Sequence, residues 1–219
     1  MKIGVLGGTF DPIHFGHLRI AEEVCEELEL DKVLLIPVSL PPHKDNKKLT
    51  PFRERLEMTR MSAKSSPRLE VLDLEGRREG LSYSIVTIRE IHEIYGPGLE
   101  LFFIIGMDAF LEIKTWKEYR HLFTGANFVV INRPGLSFDR LRPFVLSLDV
   151  GFCEGNDTNT FALPSGNLLI YKETTMLDIS STEIRRMVAA GKSIRFLVPV
   201  PVISYISEKG LYQLHENTR

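Results

Sequence analysis

The sequence predicts an α/β fold: a doubly wound parallel sheet with a small helical C-terminal appendage. Three observations carry this. Short apolar runs bounded by glycine or proline recur along the chain, as buried strands do. Helix-length segments separate them, which implies right-handed crossovers and parallel pairing. After the first run stands a glycine turn, Gly7-Gly8, leading into an amphipathic segment, the place where open α/β sheets hold nucleotides.

Met1–Leu6 is the first strand. The helix after the turn places Leu18, Ala21, Val24 or Cys25, and Leu28 on one face, with acids between them. Lys32–Pro37 is a second strand ended by proline, and Ser39–Lys48 a polar, proline-stiffened loop. Thr50 reads as the N-cap of the next helix and Pro51 as its first residue, with Leu56, Thr59 or Arg60, and Ala63 continuing its period. Leu69–Leu74 alternates as a strand. Ser82–Tyr95 reads as a helix with Ile85, Ile88, Ile91 and Tyr95 on one face and Gly96 as its stop. Leu99–Gly106, the most hydrophobic strand, belongs at the centre of the sheet. Lys117–Arg120 reads as a helix start. Asn127–Ile131 is a fifth strand, and Leu168–Lys172 can add an edge. Phe138–Leu148 reads as a helix, whereas Gly151–Gly166 carries no period and is expected as loop. Ser180 and Glu183 form a capping box that opens a helix running to Met187, and Val200–Glu208 is the last helix. Residues 1–219 read as a single domain, with a core over 1–178 and a C-terminal helical part over 179–219.

Composition narrows the function. With 219 residues, 43% hydrophobic and 26% charged, the chain has enough apolar residues for one core. A formal net charge of -2 gives no basic field for nucleic acid. No apolar run reaches the ~18 residues that span a membrane, and the first residues read as a core strand with no signal peptide, so a cytoplasmic location is expected. Two cysteines, Cys25 and Cys153, are too few for a disulfide framework or a structural zinc site.

The chemistry begins at Gly7-Gly8-Thr9-Phe10-Asp11-Pro12-Ile13-His14-Phe15-Gly16-His17. Glycines let backbone N–H groups approach phosphate oxygens, and a helix N-terminus favours anions. His14 and His17, three apart, fall on one side of that helix and add imidazole donors. A lone histidine near a turn is usually a cap; two of them with this glycine pattern after a strand read as a phosphate cradle. Ile179-Ser180-Ser181-Thr182-Glu183-Ile184-Arg185 is a second candidate anion site, with hydroxyls at a helix start and Arg185 one turn in; the plain alternative is a capped surface helix. Gly191-Lys192-Ser193 mimics the end of a P-loop, but Arg186 stands where its first glycine belongs.

The HxGH pattern resembles that of the nucleotidyltransferase superfamily, which has a Rossmann-like fold shared with class I aminoacyl-tRNA synthetases. The longer string, GGTFDPIHFGH, resembles the bacterial nicotinate-nucleotide adenylyltransferases. Ile179–Arg185 matches that family's ISxTxIR motif, Pro41-Pro42-His43-Lys44 its PPHK loop, Ser82-Tyr83-Ser84 its SYT with serine for threonine, and Ile104–Asp108 its IIGxD strand end. Thr115-Trp116 and Asn132-Arg133-Pro134-Gly135 match its tryptophan and RPG arginine. The resemblance therefore spans nearly the whole chain.

It implies transfer of AMP from ATP to nicotinate mononucleotide by direct in-line attack, giving deamido-NAD and pyrophosphate. Gly7, Gly8, Thr9, Phe10, His17, Gly106, Asp108, Ile179, Ser180, Ser181 and Arg185 would then bind ATP, with Gly106 admitting the adenosine and Asp108 bonding its ribose. Lys44, Tyr83, Ser84, Trp116 and Arg133 would bind the mononucleotide. His14, His17, Lys44 and Arg185 would act in the transfer, and Mg2+ would arrive with ATP. Nearer to hand, Asp108 can simply cap a helix, Trp116 sit in the core and Lys44 be solvated. The amide mononucleotide as preferred substrate, or a nucleotide sensor without turnover, are the alternatives. Expected partners are the two nucleotides, with a homo-oligomer left open, and neither nucleic acid nor membrane.

Overall fold

The computed structural model describes residues 1–42, 49–133, 135, 137–155 and 157–213. Within them lie eight strands: β1 (Lys2–Gly8), β2 (Lys32–Pro37), β3 (Leu69–Val71), β4 (Glu100–Gly106), β5 (Asn127–Ile131), β6 (Cys153–Glu154), β7 (Thr160–Ala162) and β8 (Leu168–Lys172). They form one sheet in the order β3-β2-β1-β4-β5-β8-β7-β6. Pairing is parallel from β3 across to β8 and antiparallel for β7 and β6. The chain first winds outward from β1 to β3, then crosses back to place β4 on the other side of β1.

The helices are α1 (Phe15–Glu27), α2 (Phe52–Ala63), α3 (Ser84–Tyr95), α4 (Met107–Phe110), α5 (Tyr119–Gly125), α6 (Phe138–Leu146), α7 (Ser181–Ala189) and α8 (Val200–Glu208). Successive side chains of a strand point to opposite faces, and β4 shows the consequence. Leu101, Phe103 and Ile105 join Ile85, Ile88 and Ile91 of α3 in one apolar layer. Phe102 and Ile104 join Ala21 and Val24 of α1, Met58 of α2 and Val202 and Ile206 of α8 in the other. Burial on both faces is why these strands read as continuous apolar runs. The C-terminal helices thus pack on the same layer as the helix that follows the glycine turn.

Several expectations need correction. Gly151–Gly166 is not all loop: it holds β6 and β7, a hairpin too short for alternation to register. The strand expected over Leu69–Leu74 stops at Val71, and the chain turns into a 3₁₀ segment at Leu74–Arg77. Pro51, not Thr50, takes the N-cap position of α2. The helix expected to start over Lys117–Arg120 does start there, at Tyr119, but its N-cap Glu118 takes a left-handed φ of 52°, so Lys117 stands outside it. The capping box of α7 is half formed: the Ser180 hydroxyl accepts the Glu183 N–H at 3.2 Å, while the Glu183 carboxylate pairs with Arg186.

One buried amide knits three strands together. Asn127, 5% exposed, donates through Nδ2 to the Leu101 carbonyl at 3.3 Å and accepts the Leu168 N–H at 2.8 Å through Oδ1. Asn127→Ala leaves the half-buried Leu168 N–H without this partner, which costs about 1 kcal/mol. Urea unfolding is expected to show the midpoint fall at unchanged slope; an unchanged midpoint rules out this role.

Candidate active site

Parallel β1 ends at Gly8, and the chain leaving β2 closes on it: the Val38 N–H donates to the Gly8 carbonyl at 2.8 Å. Phe10, at φ 48°, folds its ring back over Gly8, where a Cβ would lie 2.5 Å from a ring carbon. That close approach requires the glycine.

His14 is the N-cap of α1 and His17 lies in its first turn. Their rings stack with centroids 3.6 Å apart, and Phe10 stands edge-on to His17 at 5.0 Å. The His14 backbone N–H donates to His17 Nδ1 at 3.3 Å. An accepting Nδ1 assigns the ring proton to Nε2, so His17 carries a donor there. His14 is buried, and burial first, then the Arg133 charge, pushes its pKa down to about 4. It is therefore neutral at neutral pH, and its buried Nδ1 has no hydrogen-bond partner among the described residues. The pair can offer hydrogen bonds to an anion without His14 carrying charge.

A cavity of about 370 Å³ opens at the carboxyl ends of β1 and β4, the switch point of the sheet. Gly7, Gly8, Thr9, His17, Asp108 and Arg133 line it, as do Ser84, Thr87 and Trp116 from the α3 side. A second cavity of about 590 Å³ shares Ser84 and Trp116 and adds Pro42, Tyr83 and Lys117. The Arg133 Nε donates to Asp108 Oδ1 at 3.1 Å. A Cβ at Gly106 would fall 2.6 Å from that Oδ1 and 2.8 Å from the guanidinium, so this glycine makes room for the ion pair.

The second motif docks against the first. Ser181 Oγ donates to the Pro12 carbonyl at 2.8 Å, and Arg185 Nη1 to the Asp11 carbonyl at 2.6 Å. Ile179 packs, partly buried, on the layer beneath. On α1, Glu23 accepts the Thr175 N–H at 2.7 Å and pairs with Arg19, which fixes the segment leading to α7. The fold thus brings Gly7–Phe10, His14, His17, Ser180, Ser181 and Arg185 to one loop cluster, with Gly106, Asp108 and Arg133 beside it and Tyr83, Ser84 and Trp116 across the crevice. Ser180, Ser181 and Arg185 line neither of the two cavities. Lys44 lies outside the described residues.

Two charged groups here have no local signal in the sequence. Glu75, 6% exposed, lines the first cavity and accepts the Thr87 hydroxyl at 2.7 Å. The Lys117 Nζ sits 4.6 Å from the Tyr83 ring centroid. Glu118 instead turns outward to accept from Arg89 at 2.6 Å. His92 is structural, its Nε2 2.7 Å from the Gly125 carbonyl.

A parallel sheet with a phosphate-type loop and histidine donors at its switch point defines a nucleotidyl-transferring class, and a cytidylyltransferase-like family model matches residues 5–187. The probable nicotinate-nucleotide adenylyltransferase of Syntrophotalea carbinolica is 45% identical over 221 residues, covering 100% of both chains. That of Geobacter metallireducens is 46% identical over 213 residues, covering 97% of this chain and 98% of its own. The chain belongs to the nicotinate-nucleotide adenylyltransferase family. A Plasmodium falciparum nicotinic acid mononucleotide adenylyltransferase complexed with NaAD has the same fold, with TM-score 0.74 at 19% identity, covering 96% of this chain and 97% of that one.

Two predictions arise from the histidine pair. A donor aimed at developing charge is worth ~10²–10³ in rate, so His17→Ala is expected to lower steady-state pyrophosphate release by that factor while the protein stays folded; a rate within about twofold of wild type removes His17 from the chemistry. For His14 the sign follows from linkage. The unfolded chain takes up its proton near 6.5 and the folded chain only near 4, so the unfolded state binds more protons between those values. Stability is present above 6.5 and is lost as pH falls toward 4. The Tm of wild type is expected to drop more between pH 7 and pH 5 than that of His14→Gln; equal drops contradict the burial of a neutral imidazole.

Proposed function

We propose that this chain transfers AMP from ATP to nicotinate mononucleotide, releasing pyrophosphate and forming deamido-NAD, as a cytoplasmic enzyme. The observation that carries the reading is the meeting of the Gly7–His17 loop and the α7 motif beside a crevice whose far wall is Tyr83, Ser84 and Trp116. One side suits a triphosphate, the other an aromatic ring on a phosphorylated sugar.

Chemistry follows from this layout. A phosphate oxygen of the mononucleotide attacks the α-phosphorus, and the bond to the pyrophosphate oxygen breaks. The nucleophile is already anionic, so no base is needed, and rate comes from alignment and charge stabilisation. His17 donates through Nε2–H and His14 as a neutral imidazole to the α-phosphate oxygens. Arg185 is held beside the loop for the departing pyrophosphate, with Ser180, Ser181 and Lys44 assisting. The walls supply N–H, hydroxyl and imidazole donors, which suit phosphate oxygens; magnesium belongs to the ATP substrate. Among the described residues no group of three His, Cys, Asp or Glu is placed to hold a metal ion, and no helix is long and apolar enough to cross a membrane.

Preference for the acid over the amide rests on charge at the pyridine end. Lys117 lies in the second cavity against Tyr83, and Glu118 is committed to Arg89. Glu112 lines the same cavity and works the other way. Hydrogen bonds to charged groups contribute roughly 1.5–3 kcal/mol, so one such bond is a preference of about tenfold to a hundredfold. The test is kcat/KM for both mononucleotides with magnesium and ATP, in wild type and Lys117→Gln. Wild type is expected to favour the acid, and Lys117→Gln to lose about tenfold of that ratio. A wild-type preference for the amide overturns the acid assignment; an unchanged ratio in the variant removes Lys117 from it. Turnover of neither substrate leaves a nucleotide sensor.

A further inference from the structure

Arg55, in the first turn of α2, is the largest side chain that the fold buries completely, at 1% exposure. A guanidinium is a costly group to take from water, and it stays charged there, so its retention calls for partners. Among the described residues it makes four hydrogen bonds, all to backbone carbonyls, with the Asp11 carboxylate adding a favourable field. Nη1 donates to Thr9 at 2.6 Å and to Val38 at 2.7 Å, Nη2 to Ser39 at 3.1 Å, and Nε to Thr50 at 2.9 Å. The Phe52 ring covers one face, 5.6 Å from the guanidinium carbon.

Those carbonyls belong to three segments. Thr9 is in the loop leaving β1, Val38 and Ser39 in the chain leaving β2, and Thr50 ends the segment that returns to α2. The first of these carries the donors for ATP. The second runs into Pro41 and Pro42, which line the cavity assigned to the mononucleotide. A rigid planar fork sets both at once, because its donors keep fixed angles to each other. The hold also sets peptide orientation: carbonyl and N–H of a trans peptide point in opposite directions, so gripping the Thr9 carbonyl fixes where the Phe10 N–H points. Other groups hold the rest of this loop, with Arg185 on the Asp11 carbonyl and Ser181 on that of Pro12. Tyr212 donates to Asp11 Oδ1 at 2.8 Å, which anchors the C-terminal segment to the same turn. Arg55 alone among them reaches the chain leaving β2.

We propose that Arg55 is a positioning residue for the transfer step: its buried fork sets the spacing between the loop that holds ATP and the loop that borders the acceptor mononucleotide. It touches neither substrate. The proposal rests on the functional reading above and adds to it a division of labour, in which binding belongs to the walls of the crevice and alignment to a side chain beneath them. Displacement of one reactant by about 1 Å costs on the order of 10² in rate. The loss is therefore expected in kcat, while each substrate still meets its own wall and keeps its KM.

The test is steady-state kinetics of Arg55→Lys and Arg55→Met beside wild type at 15 °C, with rates expressed per folded site from near-ultraviolet circular dichroism and with Tm measured in parallel. Arg55→Lys keeps the charge but not the fork; Arg55→Met keeps the length but no donor. A fall in kcat of about 10- to 100-fold in Arg55→Lys, with both KM values within about threefold of wild type, is the expected outcome, and Arg55→Met is expected to be at least as slow. A lower Tm with kcat per folded site within about twofold of wild type overturns the proposal, since a purely structural residue behaves that way. So does failure of both variants to fold, which makes Arg55 a requirement of the whole fold. Wild-type turnover tests the functional reading separately: an inert wild type overturns both, whereas an active wild type with equally active variants overturns the role of Arg55 alone.

Discussion

Strand β1 is hydrogen-bonded in parallel to β2 on one side and to β4 on the other, in register from Ile3 against Lys32 and Leu101. Parallel neighbours deliver their carboxyl ends to the same edge of the sheet, and here the connections from those ends depart in opposite directions. The gap between them has no strand to fill it. The segments that leave Gly8, Pro37 and Gly106 border it, and Ser84, Thr87, Trp116 and Arg133 complete its walls, so the cavity starts from the pairing itself. Each functional group described here is placed relative to that gap.

Much of this architecture is written in local patterns. Strands β1, β2, β4 and β5 are buried on both faces, so their apolar runs are uninterrupted and easily read, whereas β8 buries only alternate residues fully. The helix at Val200–Glu208 falls where its apolar period puts it. Legibility fails where the deciding interactions are distant. Cys153–Glu154 and Thr160–Ala162 are too short to show a period and exist as strands because β8 offers an edge to β7 and β7 in turn to β6. Leu72–Leu74 continues an alternating pattern, yet the sheet ends at Val71 and the chain turns instead to carry Glu75 inward.

The site divides along the same line. Motifs lying in one stretch, such as Gly7–His17 and Ile179–Arg185, could be picked out because their chemistry is local: a turn, a helix start, donors at fixed spacing. Arg55 could not. In Arg53-Glu54-Arg55 it looks like part of a solvated face, and only carbonyls from residues 9, 38, 39 and 50 give it a place inside. Lys117 is equally silent, since its meaning depends on Tyr83 standing across the cavity. Gly106 is legible from its strand-end motif, but the Arg133–Asp108 pair that its missing Cβ leaves room for is not, because that pair joins residues that meet only where β4 and β5 are aligned.

The distribution of charge has a catalytic logic. A cradle made only of cations binds the triphosphate of the ground state as well as the transition state, and uniform binding does not lower the barrier between them. Here the groups nearest the helix start differ in kind. His14 is kept neutral by burial and by the field of Arg133, and stacking against it fixes the plane of His17. Neutral, oriented donors gain most when charge builds on the oxygens they face, and they need no reorganisation to respond. The permanent cations stand elsewhere: Arg185 on the loop's outer turn, Arg133 paired with Asp108, Arg55 buried beneath. Separation of the two kinds of group depends on where the backbone is held, and the carbonyls of Gly8, Thr9, Asp11 and Pro12 each accept from a donor of another segment. In the proposed transfer, a loop so anchored presents its donors already oriented, which is the condition for stabilising the transition state selectively.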